Sequence, residues 1–353
     1  MLKLLFVNMS PFYPESIGGA ELSTLYIING LREEGWEVEV ISGSSYCENS
    51  LGFPCWRGDT SISKLKQIVD QRLSEKIFDI IACQNIGTSG WKHLIMLNYL
   101  SQKPSKIFYF ARCVDFLMRF RIPIPKNIIP IANSLISASM MQRLTKQKIE
   151  IIYPLVDHEQ FFSKEKMPLY ITFINPVPEK GVIIAIEIAK RLSDSKFLFV
   201  MGRWPGRSYG LDKSWIRTIY NLPNVEIIEP QTDMRDVYKV TKILLVPSQF
   251  IEMFSRVIIE AHMNSIPVIA SNTGGIPSTM GKGGILINPK DDISQYVSTI
   301  KRLQTDLDYY EELSLLAFEN SKREEFNSQS QFKKLKNCFL EHLDNASSQK
   351  NIL

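Results

Sequence analysis

Several residue patterns that would mark particular classes of protein are missing from this sequence. Its four histidines form no HExxH spacing and its five cysteines form no CxxC pair, so the sequence indicates neither a zinc site nor a disulfide framework. No apolar run is long enough to cross a bilayer. The glycine pairs do not fit the GxGxxG pattern, so a dinucleotide-binding fingerprint is unsupported.

The size and composition predict an ordinary globular protein of two domains. The chain has 353 residues, more than one hydrophobic core usually supports, with 44% apolar and 22% charged residues. The opening stretch Met1–Val7 is too short for the apolar core of a secretory signal and predicts a buried strand. Because no signal precedes them, the cysteines are expected to be reduced, and we expect a cytoplasmic protein.

The net positive charge of the chain arises in the first part of the sequence. Residues 1–150 contain 17 of the 41 basic and 13 of the 37 acidic residues, which leaves 24 of each for the remainder. A basic first half suits an anionic partner such as a phospholipid headgroup or a lipid diphosphate, and predicts peripheral contact with the inner membrane surface. A chance imbalance on a solvated surface explains the same charges equally well. No basic footprint for nucleic acid is present.

Short apolar strands alternate with helical segments along the chain, which is the pattern of parallel sheets covered by helices. The alternation runs from Leu4 to Tyr153, pauses in the polar, proline-bounded segment Pro154–Pro168, and resumes at Tyr170. We therefore predict an α/β protein with two Rossmann-like domains facing a cleft. Ligands of such domains bind beyond the carboxyl ends of the strands.

The stretch from Val246 to Pro289 contains the most informative pair of residues, Glu252 and Glu260. Two carboxylates with this spacing on one helix would not share a face. We therefore place Glu252 in a loop after a strand and Glu260 inside the following helix, whose first turn is Phe254–Arg256 with Ser255 as cap. A helix N-terminus suits a phosphate, and a carboxylate can accept hydrogen bonds from two vicinal hydroxyls. Together these groups suit a nucleotide sugar.

Three glycine-containing loops and one acidic pair are weaker signals. Gly18-Gly19 and Gly274-Gly275 would let the backbone approach a ligand, or they are turns. Lys180 beside Gly181 suits a diphosphate, or it is a surface lysine. Asp306-Leu-Asp308 has the DxD form used by metal-dependent transferases, but it lies in a helical run and is expected on a solvated helix face.

The order of several motifs resembles that of the family-4 glycosyltransferases, glycosyl transferases group 1, which have the GT-B fold. The resemblance covers nearly the whole chain. The motifs are GGAE at 18–21, PIANS at 130–134, IIYPLVD at 151–157, FINPVPEKG at 173–181, the glutamate pair at 252 and 260, and IPVIASNTGGIP at 266–277.

The resemblance implies a domain division and an interdomain helix. Residues 1–162 would form the acceptor-side domain, completed by a C-terminal helix at 326–345 that crosses back to it. Residues 163–325 would form the nucleotide-sugar-binding domain.

The resemblance also implies a role for each motif residue. Glu260 would hold the ribose hydroxyls and Glu252 the donor sugar, while the backbone of Met253, Phe254 and Ser255 would contact the sugar and diphosphate. Lys180 and the amides of Gly18 and Gly19 would neutralise the diphosphate, with Gly202 also in the donor site. The family is retaining and independent of metal, so no cofactor is expected. The leaving phosphate would take the acceptor's proton, and no enzyme base is required.

Two departures from the family pattern concern positive or titratable groups. Asn175 stands where the family has an arginine, so one cation for the phosphates is missing; Arg256 or Arg203 would replace it. Ala111-Arg112 stands where the family often has a histidine, and Arg112 would contact the sugar or phosphate instead.

The predicted function is transfer of a sugar from a nucleoside-diphosphate sugar, with UDP or GDP as nucleotide. The acceptor would be a glycan, a lipid-linked molecule or a small molecule, in polysaccharide biosynthesis. Loops 43–60 and 85–90 of the first domain are expected to contact it. The alternative is a GT-B relative that binds a nucleotide sugar or a partner without catalysis, since the arginine and histidine are both lost.

Overall fold

The computed structural model describes residues 1–16, 18–43, 51–58, 61–84, 90–112, 123–202, 214–288 and 292–350. The chain divides into two compact units. The first is Met1–Leu155 with Ser328–Leu353, and the second is Val156–Asn327. The boundary between them thus lies somewhat earlier than the boundary predicted after residue 162.

The first unit contains a parallel sheet of seven described strands in the order β3-β2-β1-β4-β5-β6-β7. Strands β1 and β4 are neighbours near the centre of the sheet. From β1 the sheet continues through β2 to β3, and from β4 it continues on the other side through β5 and β6 to β7. The strands are β1 (Lys3–Asn8), β2 (Glu37–Gly43), β3 (Cys55–Gly58), β4 (Ile80–Gln84), β5 (Lys106–Ala111), β6 (Ile128–Ala132) and β7 (Glu150–Ile151).

Helices cover this sheet and bury its apolar side chains. Strand β1 is buried along nearly its whole length, which is why its central residues Leu4–Val7 form an unbroken apolar run. One face packs against apolar residues of the first helix, such as Ile27, Ile28 and Leu31. The helices described before the second unit are α1 (Gly19–Glu33), α2 (Ile62–Glu75), α3 (Gly90–Leu100) and α4 (Leu135–Thr145).

The second unit repeats this architecture. Its sheet has six described strands, all parallel, in the order β10-β9-β8-β11-β12-β13. The strands are β8 (Tyr170–Ile174), β9 (Phe197–Val200), β10 (Val225–Ile228), β11 (Thr241–Val246), β12 (Val268–Ser271) and β13 (Gly284–Ile287). The helices among the described residues of this unit are α5 (His158–Phe161), α6 (Val182–Arg191), α7 (Ser214–Tyr220), α8 (Arg235–Val240), α9 (Arg256–Met263), α10 (Ile276–Met280), α11 (Ile293–Thr305) and α12 (Leu307–Ser321).

The last helix, α13 (Ser328–Lys350), belongs to the first unit, as predicted for the C-terminal segment. The Phe339 ring packs edge-on against Phe108 at a centroid distance of 4.6 Å and lies 6.1 Å from the ring of Trp36. At Gly30 of α1, a Cβ atom would collide with the ring of Phe332. The glycine therefore allows α13 to pack closely on α1.

Several local features differ from the sequence-based expectation, among them the unpredicted strand β13. Strand β3 was not predicted, because it is a four-residue edge strand with an exposed Trp56 and no apolar run. The segment Pro154–Pro168, where the alternation of strands and helices was expected to pause, contains the short helix α5. The side chain of Asp157 caps it by accepting a hydrogen bond from the Glu159 N–H at 3.1 Å.

None of the described helices combines the length and apolar character needed to cross a membrane.

Candidate active site

The predicted site residues of the second unit lie in loops that follow the carboxyl ends of its strands. After β8 comes a 3-10 helix, Pro178–Lys180, and after β11 comes the loop 247–255 that contains Glu252. Gly274-Gly275 follow β12. In parallel sheets these ends share one edge, so side chains that are far apart in sequence meet there.

Glu252 and Lys180 form an ion pair at this edge. The Lys180 ammonium contacts Oε1 of Glu252, and the Ser248 hydroxyl donates a hydrogen bond to Oε2 at 2.7 Å. The side chain of Glu252 is 7% exposed and that of Lys180 is 25% exposed. Both oxygens of a largely buried carboxylate therefore have partners, while the lysine remains accessible to solvent and to a ligand.

The backbone holds Lys180 in this position. Gly181, which follows it, has a left-handed φ of +88°, and a Cβ atom there would collide with the carbonyl oxygen of Pro247. The N–H of Gln249 donates to the carbonyl of Glu179 at 2.8 Å. These contacts join the loop after β8 to the loop after β11, and so they set the Lys180–Glu252 geometry.

The Gly274-Gly275 pair lies against protein backbone. The N–H of Gly275 donates a 2.6 Å hydrogen bond to the carbonyl of Glu252. A Cβ atom at Gly275 would collide with the carbonyl oxygen of Met253, and one at Gly274 with that of Glu252. The close approach that this glycine pair permits is therefore to the loop that carries Glu252.

Glu260 lies inside α9 and Glu252 in the preceding loop, as predicted. Glu260 is 5% exposed. The hydroxyl of Tyr238 donates to its Oε2 at 2.7 Å, and Nε of Arg256 donates to its Oε1 at 3.2 Å. Burial, with the neighbouring Glu260 carboxylate, raises the pKa of Tyr238 well above its usual value, so the phenol stays protonated and acts as a donor. Each carboxylate oxygen retains a further lone pair for a hydroxyl ligand.

Arg256 is engaged by its own helix. It is buried, pairs with Glu260 one turn later, and lies 5.5 Å from the centroid of the Phe161 ring. As a replacement for the arginine missing at position 175 it would have to bind phosphate while also neutralising Glu260. Arg203, the other candidate for that role, lies outside the described residues.

The predicted cap of α9 differs from the structure. The helix begins at Arg256, two residues later than predicted, and Ser255 takes the cap position without a side-chain capping bond. Among the described atoms its buried hydroxyl has no hydrogen-bond partner. Met253 is buried, and the ring of Phe254 packs edge-on against Phe326 at 5.9 Å. The side chains of Met253 and Phe254 thus pack into the protein, which leaves their backbone as the part that can contact a ligand.

Asn175 and Gly202 lie side by side after β8 and β9. Asn175 adopts a left-handed conformation with φ of +59°, and its N–H donates to the carbonyl of Val200 at 2.8 Å. A Cβ atom on Gly202 would collide with the Asn175 side chain. At this position the amide of Asn175 lies where the family pattern has a cation.

In the first unit, the Gly18-Gly19 turn opens α1 and faces an acidic side chain. Gly18 is the cap residue, with an extended conformation and no side-chain cap bond. The buried carboxyl of Glu21 is hydrogen-bonded to the backbone at Gly18 and at its own position, and it lies near Arg112. Burial, the dominant effect, raises the pKa of Glu21. In this structure the α1 N-terminus is thus already occupied by a carboxyl group of the same helix.

Arg112 follows β5 and contacts two neutral side chains. Its Nε donates to Oε1 of Gln84 at 3.0 Å and its Nη2 to Oγ1 of Thr24 at 3.1 Å. It also lines a small cavity in the first unit together with Ser23 and Tyr153, among others. The guanidinium is thus held in place by strand β4 and helix α1.

The described residues contain no cluster of three or more His, Cys, Asp or Glu side chains that could hold a metal ion. Asp306 of the DxD pair lies at the N-terminus of a helix. Asp306 caps α12 by accepting from the N–H of Tyr309 at 3.1 Å, and it lies 3.5 Å from Arg302.

Some residues of the site carried no signal in the sequence. Tyr238 is one tyrosine in the six-residue helix α8, and its contact with Glu260 depends on where α8 lies relative to α9. Ser248 is four residues from Glu252, and its role depends on the path of the loop. Neither contact follows from periodicity or a motif.

Part of the chain is similar to a known family of proteins. Residues 168–306 match the family model of glycosyl transferases group 1. That range contains Lys180, both glutamates and the glycine pair. The chain is also 24% identical over 306 residues to an uncharacterized 41.2 kDa protein in the cps region of Klebsiella pneumoniae, covering 75% of this chain and 82% of that protein.

Solved structures show that the two-sheet α/β architecture is the GT-B fold. Sucrose-phosphate synthase from Thermosynechococcus elongatus matches with a TM-score of 0.81 at 17% identity, over 98% of this chain and 100% of that one. Anabaena Alr3699/HepE in complex with UDP-glucose matches with a TM-score of 0.76 at 17% identity, over 98% and 100% of the two chains. WaaG, a glycosyltransferase involved in lipopolysaccharide biosynthesis, matches with a TM-score of 0.71 at 14% identity, over 95% and 98%.

Proposed function

We propose that the protein is a retaining glycosyltransferase that moves a sugar from a nucleoside-diphosphate sugar to a glycan, lipid-linked or small-molecule acceptor. The observation that carries the proposal is the pairing of Lys180 with Glu252 at the sheet edge, close in sequence to the buried Glu260. All three residues lie within the range that matches the glycosyl transferases group 1 model.

Each side chain has chemistry that suits one part of the donor. Glu260, oriented by Tyr238 and Arg256, would accept hydrogen bonds from the ribose hydroxyls. Glu252 would accept from hydroxyls of the sugar, and Lys180 would neutralise the diphosphate. The amides at the start of α9 would bind the phosphates from the other side. In this proposal positive charge and amides replace a metal ion, and no cofactor is required.

The relatives support a particular class of donor and acceptor. HepE was crystallised with UDP-glucose, and WaaG acts in lipopolysaccharide biosynthesis. The relative from Klebsiella is encoded in a cps region. We therefore propose UDP, with GDP as the second choice, as the donor nucleotide, and a precursor of a surface polysaccharide as the acceptor.

A lipid-linked acceptor would place the reaction at the cytoplasmic surface of a membrane. Two features of the first unit support peripheral contact there. Its sequence holds the excess of basic residues. Helix α3 exposes Trp91 and Ile95, which are 57% and 45% exposed and lie one turn apart, with Lys92 between them. Tryptophan and aliphatic side chains next to lysine suit an interface with anionic lipid.

The test is turnover with a panel of UDP-, GDP-, ADP- and TDP-sugars, scored by release of the nucleoside diphosphate. We expect release with one nucleotide class and its loss in the Glu252→Gln variant. Release that survives the substitution would refute the site assignment. Binding of nucleotide sugar with no release under any condition would instead favour the non-catalytic alternative.

A further inference from the structure

The Lys180–Glu252 ion pair bears on release of the nucleoside diphosphate, an inference that rests on the proposed function. Without a ligand, the cation assigned to the diphosphate and the carboxylate assigned to the sugar neutralise each other. The donor must therefore separate the two side chains. Its phosphates would bind the Lys180 ammonium, and its sugar hydroxyls would donate hydrogen bonds to the Glu252 carboxylate.

Lys180 is the member of the pair that can move. Glu252 is held by the Ser248 hydroxyl at 2.7 Å and by the 2.6 Å bond from the Gly275 N–H to its carbonyl, and its side chain is almost buried. Lys180 has a flexible stem and is partly exposed, with its ammonium 5.2 Å from the centroid of the Phe250 ring. The ammonium can thus swing between Glu252 and a phosphate while the carboxylate stays in place.

The intact nucleotide sugar and the free nucleoside diphosphate differ in the hydrogen-bond donors that they supply to Glu252. An intact nucleotide sugar supplies hydroxyl donors to the carboxylate when it draws Lys180 away. A free nucleoside diphosphate supplies none, so binding it through Lys180 leaves a largely buried carboxylate with only the Ser248 hydroxyl. Removing one partner of such a pair is costly, because the remaining charge is poorly solvated.

The reaction converts the intact nucleotide sugar into the free nucleoside diphosphate. The bond between the anomeric carbon and the phosphate oxygen breaks, the phosphate keeps the electron pair, and the acceptor oxygen bonds to the carbon while its proton passes to the phosphate. The sugar then leaves with the acceptor, and Glu252 loses its hydroxyl partners. We propose that Glu252 then recaptures Lys180 and so promotes release of the nucleoside diphosphate, which makes it a residue that discriminates intact donor from spent product.

The proposal makes an unusual prediction for Glu252→Gln. The neutral side chain no longer competes for Lys180, so the nucleoside diphosphate should bind tighter, by about fivefold, a change typical of one ion pair. The intact donor should gain less or bind more weakly, because the amide is a poorer partner for its hydroxyls. Isothermal titration calorimetry with the diphosphate and the nucleotide sugar of the same base measures both affinities.

A second variant should shift the affinity in the opposite direction. Ser248→Ala removes the other partner of Glu252, so the carboxylate should hold Lys180 more strongly and the diphosphate should bind more weakly. The matched control is Glu187→Gln, which breaks the exposed Lys190–Glu187 pair of α6 and should change neither affinity. Because the two test variants have opposite expected signs, a variant that fails to fold leaves the other as the test.

The outcomes separate this inference from the proposed function. Tighter diphosphate binding in Glu252→Gln, or weaker binding in Ser248→Ala, supports the inference. Unchanged or weaker diphosphate binding in a folded Glu252→Gln variant overturns it, even if the wild-type protein binds and uses the donor. A wild-type protein that binds no diphosphate and no nucleotide sugar of the panel overturns the proposed function itself.

Discussion

The hydroxyl of Tyr238 donates a 2.7 Å hydrogen bond to Oε2 of Glu260, and both residues are buried. The contact joins α8 to α9 at the carboxylate that we propose binds the ribose. Since the pKa of Tyr238 is raised by its burial and by the carboxylate, the hydroxyl remains a donor at any physiological pH. Tyr238 thus orients Glu260 although it belongs to no motif.

We expect Tyr238→Phe to weaken binding of the nucleotide sugar severalfold, because Glu260 loses a donor that fixes its rotamer. The free energy of unfolding should fall by about 1 kcal/mol, the usual cost of one hydrogen bond. The control is Tyr310→Phe, which removes a 3.0 Å hydrogen bond to the Lys242 carbonyl in the same unit. It should cost similar stability and leave binding unchanged. Equal affinities for Tyr238→Phe and wild type would contradict the assigned role.

The glycine pair after β12 provides a second test. In Gly275→Ala the new methyl would collide with the Met253 carbonyl, so the Glu252 loop must shift. We expect a loss of stability of about 1–3 kcal/mol, as for other overpacked sites, and a larger relative loss of turnover. Urea denaturation and donor turnover measure the two effects.

The control for this substitution is Gly35→Ala. Gly35 has a φ of +84°, and no atom lies within 4 Å of the position that a Cβ would take, so alanine there costs backbone strain alone. It should lower stability without changing KM for the donor. Wild-type turnover in a folded Gly275→Ala variant would show that the glycine does not position the loop.

The glutamate pair and Gly275 show how much of the structure could be predicted from the sequence. Glu252 in a loop and Glu260 in a helix followed from local pattern, because a buried strand and an amphipathic helix each leave a periodic signal. The partner of Gly275 did not, because a glycine at a turn and a glycine under a distant backbone have the same local sequence. Ser255 does occupy the cap position of α9, but its buried hydroxyl makes no capping hydrogen bond, which local sequence does not reveal.

The membrane contact can be tested with vesicles. We expect liposomes of anionic lipid to retain the protein at low salt, and Trp91→Ser with Ile95→Ser to reduce the retained fraction severalfold, because these exposed side chains supply the apolar contact. The control is Leu315→Ser, which removes an apolar side chain that is 62% exposed on α12 of the second unit. If wild-type protein does not sediment with the vesicles, the membrane contact is wrong.

The buried His262 predicts how stability depends on pH. Its Nδ1 lies 2.9 Å from Nδ2 of Asn320, which must donate, so the ring is neutral. Burial lowers its pKa from 6.5 to about 3. In the unfolded chain the ring gains a proton as the pH falls below 6.5, whereas the folded protein does not until the pH nears 3. Its contribution to stability is therefore fully present above that window and is lost as the pH falls through it.

As the pH falls from 6.5 to about 3, His262 should lower the free energy of unfolding by up to about 1.4 kcal/mol per pH unit. In His262→Gln this part of the slope should disappear, whatever the variant's absolute stability. The control is Gly35→Ala, which should lower stability without changing a titratable group and so should keep the wild-type slope. Chemical denaturation at a series of pH values measures it. An unchanged slope in His262→Gln would mean that the ring is already protonated in the folded protein, with Asn320 turned to accept instead of donate.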